Sequence, residues 1–224
     1  VEVLTAICAV FLPRLSKYYS ENTVDKFGNL VEKGIKVIII LGLPLMTGIF
    51  LLSKPLIILF CGNSFLMAAA PMKIISPIII FISISNLLSA QVLPAMNKEK
   101  ISLITYVFAA VTNITLNYIF IPFYGACGAA VSTLIAEFIA FIIPCIILKR
   151  YVFIKEQFKN FMQALFSTII MAIPVILILK FINNSCLQIV FSVILSILIY
   201  GLCLLILKNS ILLEFLNKLT KKND

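Results

Sequence analysis

Residues 125–148 read G-A-C-G-A-A-V-S-T-L-I-A-E-F-I-A-F-I-I-P-C-I-I-L. They carry a single charge, Glu137. A helix needs about 20 mostly apolar residues to cross the hydrocarbon core of a bilayer, and this stretch meets that length. Small residues recur at every fourth position: Gly128, Ser132, Ala136 and Ala140. Gly125, Ala129, Thr133 and Glu137 form the adjacent stripe, while Leu134, Phe138, Phe141 and Ile142 make the other face bulky. Small faces let helices approach closely in lipid, where no hydrophobic force drives helix against helix. The segment is therefore expected to span the membrane with its small face against neighbouring helices.

Upstream, residues 101–121 form a second apolar run, joined to the first by a turn over 122–125. Ser102, Thr105, Ala109, Asn113 and Asn117 share one of its faces. A turn this short makes the two helices antiparallel, with Asn113 and Glu137 within about three residues of one level, or ~4.5 Å along the axis, where an Asn amide could donate to the Glu carboxyl. The run before, 74–93, places Ser76, Ser83, Asn86 and Ala90 on one face, with Gln91 beside it. Three consecutive spans thus carry a polar stripe that either lines an aqueous cavity or forms the packed centre of a bundle. Further runs at 35–60, 161–181 and 187–207 bring the full spans to six, and residues 1–12 resemble the end of another. The last two spans are poor in polar residues and are expected to be peripheral. Pro44, Pro77, Pro144 and Pro174 fall within spans, where they kink helices or leave backbone groups free for gating.

Composition agrees. Hydrophobic residues make up 62% of the 224 and charged residues 12%, with a mean hydropathy of +1.15. Soluble domains average about 45–50% apolar and about 25% charged. The net charge of +9 would suggest nucleic acid in a soluble protein. Here the basic residues flank apolar runs and no nucleic-acid partner is expected. If all six runs cross, Lys54, Lys73 and Lys180 fall on one side and the other fifteen of the 18 Lys and Arg on the opposite side. Positive charge collects on the cytoplasmic side, so the C-terminus is expected there, in a multi-pass protein of the bacterial cytoplasmic membrane. The stretch from Arg14 to Lys36 is expected to be a cytoplasmic loop, with Asp25, Leu30, Val31 and Lys33 on a short interfacial helix or a helical turn.

The chain has no His, which removes imidazole catalysis and the commonest metal ligand. Its six Cys stand singly without metal spacing. No catalytic residue, metal or cofactor is expected. The chemistry-bearing candidate is Glu137, because an intramembrane carboxylate costs at least about 2.5 kcal/mol and is a functional hypothesis by default. It could bind a proton or Na⁺, accept hydrogen bonds from a substrate, or tie two helices together.

Five motifs follow in order: P-R-L-S-K-Y-Y (13–19), L-S-K-P-L-I-I-L-F-C-G-N-S-F (52–65), S-N-L-L-S-A-Q-V-L-P (85–94), N-K-E-K (97–100) and the Asn-to-Glu block of residues 113–137. Their order and spacing resemble the Wzx-type oligosaccharide flippases of polysaccharide biosynthesis. These sit in a superfamily shared with multidrug and toxic-compound extrusion (MATE-like) transporters and peptidoglycan lipid flippases such as MurJ. The resemblance is closest over residues 1–150.

It implies an all-α polytopic bundle: the C-terminal lobe of a two-lobe transporter, with two extra helices. The lobe would occupy 1–148, a cytoplasmic loop 149–160, the added pair 161–207 and a basic tail 208–224. The substrate would be an undecaprenyl-diphosphate-linked oligosaccharide flipped to the outer leaflet. Membrane lipids and an N-terminal lobe outside this chain would be the partners, since the chain opens V-E-V-L-T-A without an initiator Met. Arg14, Ser83, Asn86, Gln91, Asn113, Asn117 and Glu137 would line the substrate cavity. Arg14 would be the cation within reach of a diphosphate, or else a topology anchor. Rival readings are a cation-coupled drug antiporter, a membrane-embedded polysaccharide enzyme, and a structural membrane protein.

Overall fold

A computed structural model describes residues 2–149, 154–209 and 211–212. Among the described residues every regular element is helical. Two short helices come first, α1 (Glu2–Ala9) and α2 (Leu12–Ser20). A turn with Asn22 at positive φ leads into α3 (Val24–Cys61), which ends at Gly62, φ +87°. A 3₁₀ turn over Asn63–Ala68 precedes α4 (Ala69–Ile75), and α5 (Ile78–Ser85) follows the break at Pro77. Residues Asn86–Val92 wind as a π-helix into α6 (Leu93–Ala95). The remaining helices are α7 (Glu99–Ile147), α8 (Ile154–Phe181) and α9 (Ser185–Ile206).

Five of these stretches are long and apolar enough to span a membrane. One of them, α7, is 49 residues long. At 1.5 Å per residue it would measure about 74 Å, more than twice the ~30 Å hydrocarbon core. It folds back at Gly125, whose φ of 54° and ψ of −131° are not helical. The two halves of α7 are thus the two spans expected around residues 122–125, and Pro122 sits inside helix rather than in a loop. Gly128 has a steric duty there, because a Cβ would lie 2.4 Å from the Phe120 carbonyl oxygen.

Three segments differ from the sequence reading, and the first is residues 14–20, read as loop, which belong to α2. Residues 24–36 are neither loop nor separate helix: they begin α3 and wind unbroken into the span. Phe27, Val31 and Ile35 are buried there, and the Glu32–Lys36 pair, one turn apart and largely buried, neutralises the charge this burial brings in. Residues 154–160, read as loop, already belong to α8. Arg150 and the tail 213–224 lie outside the described residues.

The core runs along α3. Ile38, Ile39 and Leu43 share one buried cluster with Leu87, Leu88 and Val92 of the π segment, Met171 of α8 and Leu204 of α9. Gly34 permits the approach to the π segment, since a Cβ would come within 2.7 Å of Leu87 Cδ2. The α8–α9 hairpin turns one stripe to α3 and leaves the rest exposed. Polar clasps hold both its ends. Asn184 caps α9 by accepting from the backbone N–H of Cys186 (2.9 Å), and Gln188 donates to the Ile182 carbonyl (2.6 Å). At the other end, buried Asn209 donates to Gln163 Oε1 (3.0 Å), and Gln163 donates to the Leu207 carbonyl (3.0 Å).

Candidate functional site

Both halves of α7 supply the site. Asn117 Nδ2 donates to Asn113 Oδ1 (2.6 Å), Asn113 Nδ2 to Thr133 Oγ1 (3.4 Å), and the Thr133 hydroxyl to the Ala129 carbonyl one turn back (2.9 Å). This ladder bridges the reversal at Gly125. It leaves Asn117 Oδ1 buried with no hydrogen-bond partner.

Asn113 therefore meets Thr133, not Glu137. Counted outward from the turn over 122–125, Asn113 stands level with residues 133–134, about one helical turn short of Glu137. Glu137 lies one turn further along and opens onto a cleft of ≈ 320 Å³. Tyr106, Asn113 and Glu137 supply its polar groups, and Ala109, Ala136 and Ala140 keep it open by their small size. Glu137 is half-buried, and among the described residues no hydrogen bond or ion pair engages its carboxyl.

The other candidates fall elsewhere. Ser83 is fully buried and donates to the Ile79 carbonyl of its own helix (2.6 Å). Asn86 is half-buried at the start of the π segment, and Gln91, 9% exposed, keeps its Oε1 without a partner there. Neither lines the cleft. Arg14 is exposed on α2 and does not line the cleft. The three-span polar stripe thus splits. Its α7 part opens onto a cleft, and its α5 part is packed centre.

Tyr106 was not anticipated. It stands two turns before Asn113, and that spacing could have found it. Its side chain faces Ser85 and Ser89. Ser85 donates to the Ala140 carbonyl (3.1 Å) and Ser102 to the Ser89 carbonyl (2.5 Å), binding α5 and the π segment to both halves of α7 beneath the cleft.

This all-helical lobe can be set against known proteins. A family model described as lipid II flippase MurJ matches residues 3–212. The chain belongs to that family. A probable lipid II flippase MurJ of Vibrio cholerae is 32% identical over 142 residues, 60% of this chain and 26% of that protein. The lipid II flippase MurJ of Bacillus subtilis is 25% identical over 154 residues, 67% of this chain and 28% of that protein. A probable low-salt glycan biosynthesis flippase, Agl15, of Haloferax volcanii is 25% identical over 167 residues, 75% and 35%. A solved lipid II flippase MurJ in an inward closed conformation matches with a TM-score of 0.75 at 21% identity, covering 93% of this chain and 45% of that one. That likeness shows the fold. The chain spans about a quarter to a third of the curated relatives it matches. The match falls on the lipid II flippase branch of the expected superfamily. Its members are named as flippases, transporters rather than catalysts.

Proposed function

We propose that this chain forms the C-terminal lobe of a transporter that flips an undecaprenyl-diphosphate-linked saccharide from the cytoplasmic to the outer leaflet, for assembly of the cell surface. The observation that carries this reading is the Tyr106–Asn113–Glu137 cleft, in a lobe whose fold is that of the lipid II flippases. A polar cleft held open by alanines between two spans is expensive in lipid. In a protein that only had to stay folded, larger side chains would fill it.

Two relatives are named for lipid II and one for glycan biosynthesis. The shared chemistry is a saccharide carried on a lipid, and the saccharide here is either a lipid II headgroup or an oligosaccharide of the Wzx-type kind. The Glu137 carboxyl is the group available to substrate hydroxyls, to a proton or to Na⁺. Its uncommitted state also favours the second reading, a cation-coupled antiporter for cationic drugs. Arg14, exposed on α2, is the candidate to meet a diphosphate at the cytoplasmic side, with further cations supplied from outside this chain.

The test uses the full-length gene in its own bacterium. On deletion, a lipid-linked saccharide should accumulate in the inner leaflet while surface glycan falls, and the accumulated saccharide names the substrate. Unchanged lipid pools together with new sensitivity to cationic drugs would move the protein to the antiporter reading.

A further inference from the structure

In an α-helix the carbonyl of residue i−4 accepts from the N–H of residue i, and proline has no N–H to give. Pro44 in α3 therefore frees the carbonyl of Ile40. A freed carbonyl deep in a membrane protein must find another donor. Here the donor comes from the far end of the chain: the Tyr200 hydroxyl of α9 donates to the Ile40 oxygen at 2.6 Å, in a buried position 160 residues away in sequence. Tyr200 is 8% exposed, and Thr168 of α8 lies beside its hydroxyl. Pro44 and Tyr200 also line the same apolar groove of ≈ 590 Å³ between α3, α8 and α9.

Two other carbonyls four residues before a proline also take a hydroxyl. Pro144 frees the Ala140 carbonyl, which Ser85 of α5 fills; the Lys73 carbonyl, which Pro77 cannot meet, accepts from both the N–H (3.3 Å) and the Oγ (2.9 Å) of Ser76. Of these three hydroxyl bonds, only that of Tyr200 runs between residues 1–148 and the α8–α9 pair. Without it, the helical ladder of α3 is one bond short at mid-span, and the helix is free to bend there.

We infer that Tyr200 is a positioning residue: its hydroxyl replaces the backbone N–H that Pro44 lacks, and the α8–α9 hairpin thereby sets how far α3 flexes at Pro44. The consequence for transport rests on the flippase reading; the coupling of Tyr200 to Pro44 does not.

The experiment is a double-mutant cycle in the full-length protein. Wild type, Tyr200→Phe, Pro44→Ala and the double variant are reconstituted in nanodiscs, in a background without native cysteines. Nitroxides at Asn29→Cys and Lys54→Cys, exposed positions on α3 on either side of Pro44, report its bend as a distance distribution. Loss of one net hydrogen bond shifts a two-state population by roughly fivefold. Tyr200→Phe keeps the ring and its packing, so it should broaden the distribution by that shift when Pro44 is present. In the Pro44→Ala background the Ile40 carbonyl regains its helical partner, and Tyr200→Phe should change nothing. An equal effect in both backgrounds, or none in either, overturns the inference and leaves Tyr200 as packing alone. In the deletion strain, Tyr200→Phe should restore less surface glycan than wild type, and full restoration would remove its role in transport. If wild type itself restores none, the flippase reading fails while the distance measurement still decides the coupling.

Discussion

Glu137 is the residue whose chemistry is most exposed to test. It is half-buried, opens onto the cleft, and has no protein partner among the described residues. In the full-length protein, Glu137→Gln keeps size and hydrogen bonding but removes the charge. Surface-glycan export should fall by at least about tenfold if the carboxylate acts as an ion, measured by complementation at matched expression. Unchanged export would reduce Glu137 to a polar side chain at a helix interface. Gly128 makes a steric prediction. A Cβ there meets the Phe120 carbonyl oxygen at 2.4 Å, and that backbone atom cannot swing aside like a side-chain end. Gly128→Ala should cost about 1–3 kcal/mol by overpacking, read as a lower melting midpoint. A neutral result would mean that the two halves of α7 pack less closely than described.

Prolines dominate at the scale of elements. Ser85 reaches from α5 to the carbonyl that Pro144 frees in α7, next to the cleft. Removing an interhelical hydrogen bond in a membrane protein costs about 1 kcal/mol. Ser85→Ala should therefore destabilise the full-length protein modestly. Pro144→Ala, which restores the helical bond, should cancel most of that loss. Additive losses in the two variants would show that Ser85 serves some other partner. Phe81 of α5 reinforces the same contact by stacking on Phe141 (centroids 5.5 Å) and meeting Phe138 edge-on (5.3 Å). The bulky face of the α7 second half is thus partly used in packing, not simply given to lipid. The π segment beside it carries one extra residue per turn relative to an α-helix and pins buried Gln91 where α-helical counting would not place it.

Orientation is a prediction for the whole molecule. If positive charge marks the cytoplasmic side, the turns that follow α3 and α8 face outward, and exposed Cys61 and Cys186 lie near them. In spheroplasts a membrane-impermeant maleimide should label both without lysis, whereas Lys17→Cys should react only after permeabilisation. The reverse pattern would invert the topology and move Arg14 to the outer face, away from any cytoplasmic diphosphate.

The sequence by itself determined the solvent, the spans and the small-residue stripe of α7. These follow from composition and helical periodicity, because a bilayer obliges each spanning segment to satisfy its backbone within itself. It also pointed to Asn113 and Glu137 as inward-facing, since 3.6-residue spacing is local. It missed the depth to which α3 extends, because Glu32 and Lys36 look like loop charges until they pair across one helical turn. It paired Asn113 with Glu137 rather than Thr133, because an offset of about three residues along the axis is enough to exchange one partner for the other one turn away. The tertiary structure alone decided which carbonyls freed by proline are filled, and by which hydroxyls. A proline announces a missing donor to the sequence reader, but the replacement comes from whichever helix packs alongside, and that neighbour is fixed by interhelical contact rather than by any local pattern.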